Sequence, residues 1–156
     1  MSPPAANSPV PNATETKFGD PENRIAQTAH WTVLLRPKQP TLGSLVLVCR
    51  EPVQQFSALS AAAFADLQQV IRGVEGMLRQ VVRYERINYL MLMMVDPDVH
   101  FHVIPRYGSA RQHAGVDYPD AGWPGPPQLE PSITPAHDAK GSLLGSLRAA
   151  WGAASS

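Results

Sequence analysis

The chain has 156 residues, enough for one domain with a substantial core, and its 13 basic and 13 acidic residues cancel to a formal charge of +0. That balance provides no basic field for nucleic acid or a membrane surface, and no apolar run reaches the length of a membrane span. The single cysteine, Cys49, excludes an internal disulfide and a cysteine-rich zinc centre. The N-terminus shows no charged segment followed by an apolar stretch, so a cytoplasmic protein is expected.

Residues 1–17 are rich in Pro, Asn, Ala and Ser and are expected to be a disordered tail. Trp31–Leu35 is a short β-prone run, closed by the breaker-rich Arg36-Pro37-Lys38-Gln39-Pro40-Thr41-Leu42-Gly43. A second run, Ser44–Cys49, pairs with it as an antiparallel strand and carries Cys49 into the core. From about Ser60 to Arg83, Phe64, Leu67, Ile71, Val74, Leu78 and Val81 recur at spacings of three and four, which predicts a helix packed on a sheet. Ser57 or Ser60 caps its start. Gly73 and Gly76 each weaken such a helix by roughly 1 kcal/mol relative to Ala, which marks them as places of close packing. Ile87–Val95 is apolar nearly throughout and reads as a central strand covered on both faces, with Met77, Met91, Met93 and Met94 as core filler.

After the break at Asp96-Pro97 comes Asp98-Val99-His100-Phe101-His102-Val103-Ile104-Pro105-Arg106. Side chains alternate faces along a strand, so Val99, Phe101 and Val103 form a core-facing row. His100 and His102 stand together on the opposite face, one step beyond Asp98. Two imidazoles beside a carboxylate on a half-buried strand suit anion binding, metal ligation or attack on phosphorus. Pro105 is expected to help end the strand. Beyond it, residues 108–156 form a Pro- and Gly-rich extension in which Trp123 anchors a loop. Leu143, Leu144, Leu147 and Trp151 mark a short terminal helix there.

Val99-His100-Phe101-His102-Val103-Ile104-Pro105-Arg106 resembles the end of the histidine-triad signature, in which three His alternate with apolar residues ahead of Pro-Arg. The loop and strand from Arg36 to Val48 and the helix bearing Phe64, Asp66 and Leu67 resemble the same family, over about residues 25–107. The resemblance implies an α+β fold: an antiparallel sheet of about five strands packed against one long helix plus a shorter one. It places a histidine-triad domain at residues 18–107. It further implies a homodimer that hydrolyses or transfers nucleotides joined through the α-phosphate, such as dinucleoside polyphosphates or nucleoside phosphoramidates. Registered on Pro105-Arg106, the middle, nucleophilic position is His100, the third is His102, and the first falls on Asp98.

Neutral imidazole is a competent nucleophile near pH 7, and a second His two residues on positions it or contacts phosphate oxygens, with no cofactor or metal needed. Asp98 in place of a His would orient His100 and favour its protonated form. The family's polar stretch ahead of the first His is missing, since only Val95-Asp96-Pro97 lies between strand and triad. Arg36 stands where many members place a ribose-contacting Asn, so Arg36, Asn88 and Arg106 are the candidate substrate contacts. Two other readings stay open: a metal-dependent hydrolase using Asp98, His100 and His102 as ligands, and a nucleotide-binding member without catalysis.

Overall fold

The computed structural model describes residues 10–154. Five strands, β1 (Arg24–Gln27), β2 (Trp31–Leu35), β3 (Leu45–Cys49), β4 (Arg86–Leu90) and β5 (His100–Arg106), form an antiparallel sheet in the order β1-β2-β3-β5-β4. A two-stranded ribbon, β6 (Arg111–His113) and β7 (Val116–Tyr118), lies outside it. The helices are α1 (Ala13–Lys17), α2 (Ala61–Val81) and α3 (His137–Ala154). The architecture is the expected α+β one.

The alternation of β-branched and aliphatic residues sorts the two faces of the sheet. Trp31, Val33 and Leu35 of β2, Leu45, Leu47 and Cys49 of β3, and Val99 and Val103 beside them point to the main core. There α2 covers them with Ala63, Leu67, Val70, Val74, Met77 and Leu78, and the Trp31 indole N–H donates to the Ala63 carbonyl at 2.8 Å. Ser60 caps α2 by accepting from the Ala63 N–H at 3.0 Å. The buried stripe is rotated from the expected one: Phe64 is exposed and rests on Phe56 at the surface. Gly73 is a close approach, because a Cβ there would fall 2.6 Å from the Trp151 ring of α3. Cys49 lies in this core, and burial pushes its thiol up to about 11.

The opposite face carries a smaller cluster, Phe18, Leu34, Val46 and Val48, beside the two histidines of β5. Part of the expected disordered tail is ordered here. Asn12 accepts from the Glu15 N–H at 2.8 Å while Glu15 accepts from the Asn12 N–H at 3.0 Å, a capping box that starts α1. The rest of that tail, residues 1–9, lies outside the described residues.

Four further expectations are corrected. The apolar run after Ile87 is not a central strand: β4 is at the sheet edge and ends at Leu90, and Met93 adopts a left-handed φ of 52°. Met94 is 85% exposed, so it is loop and not core filler. An unbroken apolar run reads the same whether its second half continues a strand or leaves it. The connection to the histidines is therefore the whole of Met91–Val99, not three residues. Pro105 lies inside β5, opposite Ile87, and does not end it. Pairing with β3 stops at Val103, and the Arg106 carbonyl accepts from the Glu85 N–H on the β4 side. The Pro105 nitrogen thus faces away from β4, where no ladder bond is lost.

Candidate active site

His100 and His102 sit on β5 directly opposite Val48 and Val46 of β3. They are 2% and 7% exposed, with ring centroids 5.2 Å apart in an edge-on arrangement. Phe18, just past α1, covers both at 6.3 Å and 5.8 Å. The His100 Nδ1 lies 2.7 Å from the backbone carbonyl of Asp98. A carbonyl only accepts, so Nδ1 carries a hydrogen, and in the neutral ring the lone pair is then on Nε2. That is the tautomer a nucleophilic imidazole needs. His102 has a buried Nδ1 with no partner among the described residues. Burial above all, then the neighbouring His100 and the Arg36 charge, lowers its pKa to about 4, against a weaker opposing pull from Asp96. His102 is therefore neutral at pH 7.

His102 lines a cavity of about 390 Å³ whose wall combines Lys17, Arg36 and Lys38 with the apolar Phe18, Leu92, Val95 and Leu129. Asp96 also lines it and is paired with Lys17 at 2.7 Å. Arg36 donates through Nη1 to the Lys38 carbonyl at 2.7 Å, but its buried Nε has no acceptor among the described residues. Burial lowers its pKa, with the charge of Glu130 opposing. Cations and a flat apolar wall beside an imidazole suit an organic phosphate.

Asn88 and Arg106 belong elsewhere. Arg106 donates to Asp120 through Nε (2.7 Å) and Nη2 (3.2 Å), to Asn88 Oδ1 (2.8 Å) and to the Gly125 carbonyl (2.9 Å). They line a separate cleft of about 760 Å³ between the β4 edge and Trp123–Pro127. The structure thus brings Arg36 to the histidines but commits Asn88 and Arg106 to holding the C-terminal extension.

The Asp98 carboxylate does not touch His100 either: its Oδ2 accepts from the Thr14 N–H (3.1 Å) and hydroxyl (2.8 Å). Among the described residues no three His, Cys, Asp or Glu side chains are placed to hold a metal ion, so the ligand set Asp98, His100 and His102 is not assembled. The contributions of Thr14, Phe18, Lys17 and Leu129 carry no sequence signal, because each reaches the site from a segment outside β5.

The HIT domain family model matches residues 19–109, more than half of the chain. The chain belongs to the HIT domain family. Solved HIT structures share its fold. A histidine triad protein from Bradyrhizobium japonicum superposes with a TM-score of 0.70 at 20% identity, covering 93% of this chain and 98% of its own. A hypothetical histidine triad nucleotide-binding protein from Sulfolobus tokodaii gives 0.62 at 15% identity, covering 84% of each chain. A zinc-bound histidine triad family protein from Mycobacterium smegmatis gives 0.58 at 17% identity, covering 83% of this chain and 84% of its own. No curated protein matches the sequence. HIT proteins are generally nucleotide hydrolases or transferases. No helix among the described residues is long and apolar enough to cross a membrane.

Proposed function

We propose that this HIT protein hydrolyses or transfers a nucleotide joined through its α-phosphate, a dinucleoside polyphosphate or a nucleoside phosphoramidate, with His100 as nucleophile. The observation that carries this reading is the 2.7 Å contact from His100 Nδ1 to the Asp98 carbonyl, which puts the hydrogen of the neutral ring on Nδ1, one ring away from the cationic cavity that His102 lines. Nε2 forms a bond to the α-phosphorus as the bond from phosphorus to the leaving group breaks, its electron pair departing with that group. The imidazole becomes cationic, and the Nδ1–H donated to the carbonyl is then a charge-assisted hydrogen bond. Water next attacks phosphorus, the N–P bond returns its pair to Nε2, and a proton and a nucleoside monophosphate leave. In transfer another nucleophile replaces water.

Arg36 and Lys38 receive phosphate oxygens, and neutral His102 contacts them or the leaving group. Phe18 and Leu129 offer the apolar surface for the nucleoside. The same reading keeps a small nucleotide as partner, a homodimer and a cytoplasmic setting. Release of AMP from diadenosine polyphosphate or adenosine phosphoramidate, measured with chelator present, tests it. The expected result is turnover that falls by about a thousandfold or more in His100→Ala. Nucleotide binding without turnover in the native protein would replace catalysis with binding alone.

A further inference from the structure

His100 depends on a carbonyl that is not part of β5. Asp98 precedes the strand, at the end of the Met91–Val99 connection, whose tip is among the most exposed apolar parts of the chain. Two anchors hold that end. The Val99 carbonyl accepts from the Cys49 N–H of β3 at 2.8 Å. On the other side Thr14 holds Asp98: the Thr14 hydroxyl donates to Asp98 Oδ2 and accepts from the Asp98 N–H at 3.2 Å, while the Thr14 N–H donates to the same carboxylate oxygen. Thr14 is fully buried, and its hydroxyl both donates to and accepts from Asp98.

The helix that presents Thr14 is itself fastened to the sheet. Asn12 Nδ2 donates to the Cys49 carbonyl at 3.0 Å, and the Thr32 hydroxyl donates to Glu15 at 2.6 Å. A carboxylate clamped in this way contributes through its own backbone and not through its charge. The distinction matters, because an imidazole whose Nδ1–H loses its acceptor populates the other tautomer and rotates away from the line of attack.

We propose that Thr14 is a positioning residue: by clamping Asp98 it holds the Asp98 carbonyl where it fixes His100 with Nε2 free. This rests on the reading of His100 as the nucleophile. Thr14→Val keeps the shape and removes the hydroxyl; Thr14→Ser restores it. In the full chain, Thr14→Val is expected to lower kcat by about ten- to a hundredfold, with KM within about threefold, and Thr14→Ser to recover most of the loss. Nitrogen-15 NMR of the imidazoles provides a readout independent of substrate: a protected His100 Nδ1–H in the native protein and in Thr14→Ser, lost or in tautomer exchange in Thr14→Val. Should Thr14→Val unfold, Asp98→Ala, which empties the clamp from the other side, must show the same loss of the signal.

An unchanged Nδ1–H signal in folded Thr14→Val overturns the proposal, as does a loss of activity that Thr14→Ser does not recover. A lower melting temperature with unchanged kcat for the folded protein reduces Thr14 to a structural role and also overturns it. If native protein turns over no nucleotide, the NMR comparison still decides the clamp, while the nucleophile reading fails separately.

Discussion

Two arginines, Arg36 and Arg106, border the histidine-bearing face of the sheet region, and the sequence presents them as similar candidates. Arg106 has four donor contacts to Asp120, Asn88 and Gly125 and is shut into a closed polar network. The Arg36 guanidinium makes one hydrogen bond among the described residues, to the Lys38 carbonyl, and its buried Nε has no acceptor there, on the wall that His102 shares. The difference teaches how to separate a structural cation from a ligand-binding one. A satisfied network resists change and needs no ligand, whereas orphaned donors beside an orphaned imidazole nitrogen mark where a ligand completes the structure.

Removing each guanidinium separates the two roles. Arg106→Ala leaves Asp120 buried and unpaired, and is expected to cost about 3–5 kcal/mol of stability. Urea unfolding measures it; a loss under about 1 kcal/mol would mean that the network is not structural. The histidine end responds instead to pH. His102 in the folded chain has a pKa near 4, below the ordinary 6.5, so the unfolded chain binds the proton first as pH falls. Its contribution is present above about pH 6.5 and is lost progressively toward pH 4, on the order of 3 kcal/mol in all. Melting curves from pH 7 to 4.5 should therefore fall more steeply for the native protein than for His102→Asn, and parallel slopes would reject the shifted imidazole. Smallest is Arg36→Gln, expected to raise KM about ten- to thirtyfold, 1–2 kcal/mol, with little change in melting temperature. A variant that melts early but binds substrate normally would exchange the roles of the two arginines.

Local pattern made much of the fold legible. Ser60 and the apolar spacing after it locate α2, and the alternation around Phe101 puts His100 and His102 on one face, because both signals depend on neighbours a few residues away. Gly73 marks a close approach, though only the structure names Trp151 as its reason. What local pattern cannot carry is partnership at long range. Thr14 and Asp98 are 84 residues apart, and nothing near either foretells their contact. Asp98 therefore looks like a triad member in the sequence and acts in the structure as a clamped turn residue whose carbonyl, not its carboxylate, meets His100. Arg106 likewise looks free until Asp120 is placed beside it. The end of β4 at Leu90 has no local signal, because hydrophobicity continues through Val95 while the backbone turns at Met93.

If His100 Nε2 takes the nucleotide, the covalent intermediate is visible to rapid-quench intact-protein mass spectrometry. Native protein and His100→Ala are mixed briefly with a diadenosine polyphosphate in the presence of chelator, quenched without acid, and digested for site mapping. The expected result is a mass gain of one adenylyl group on the native chain, mapped to the peptide bearing His100 and absent from the variant. Turnover to AMP with no adduct on His100, or an adduct that survives in His100→Ala, would contradict it.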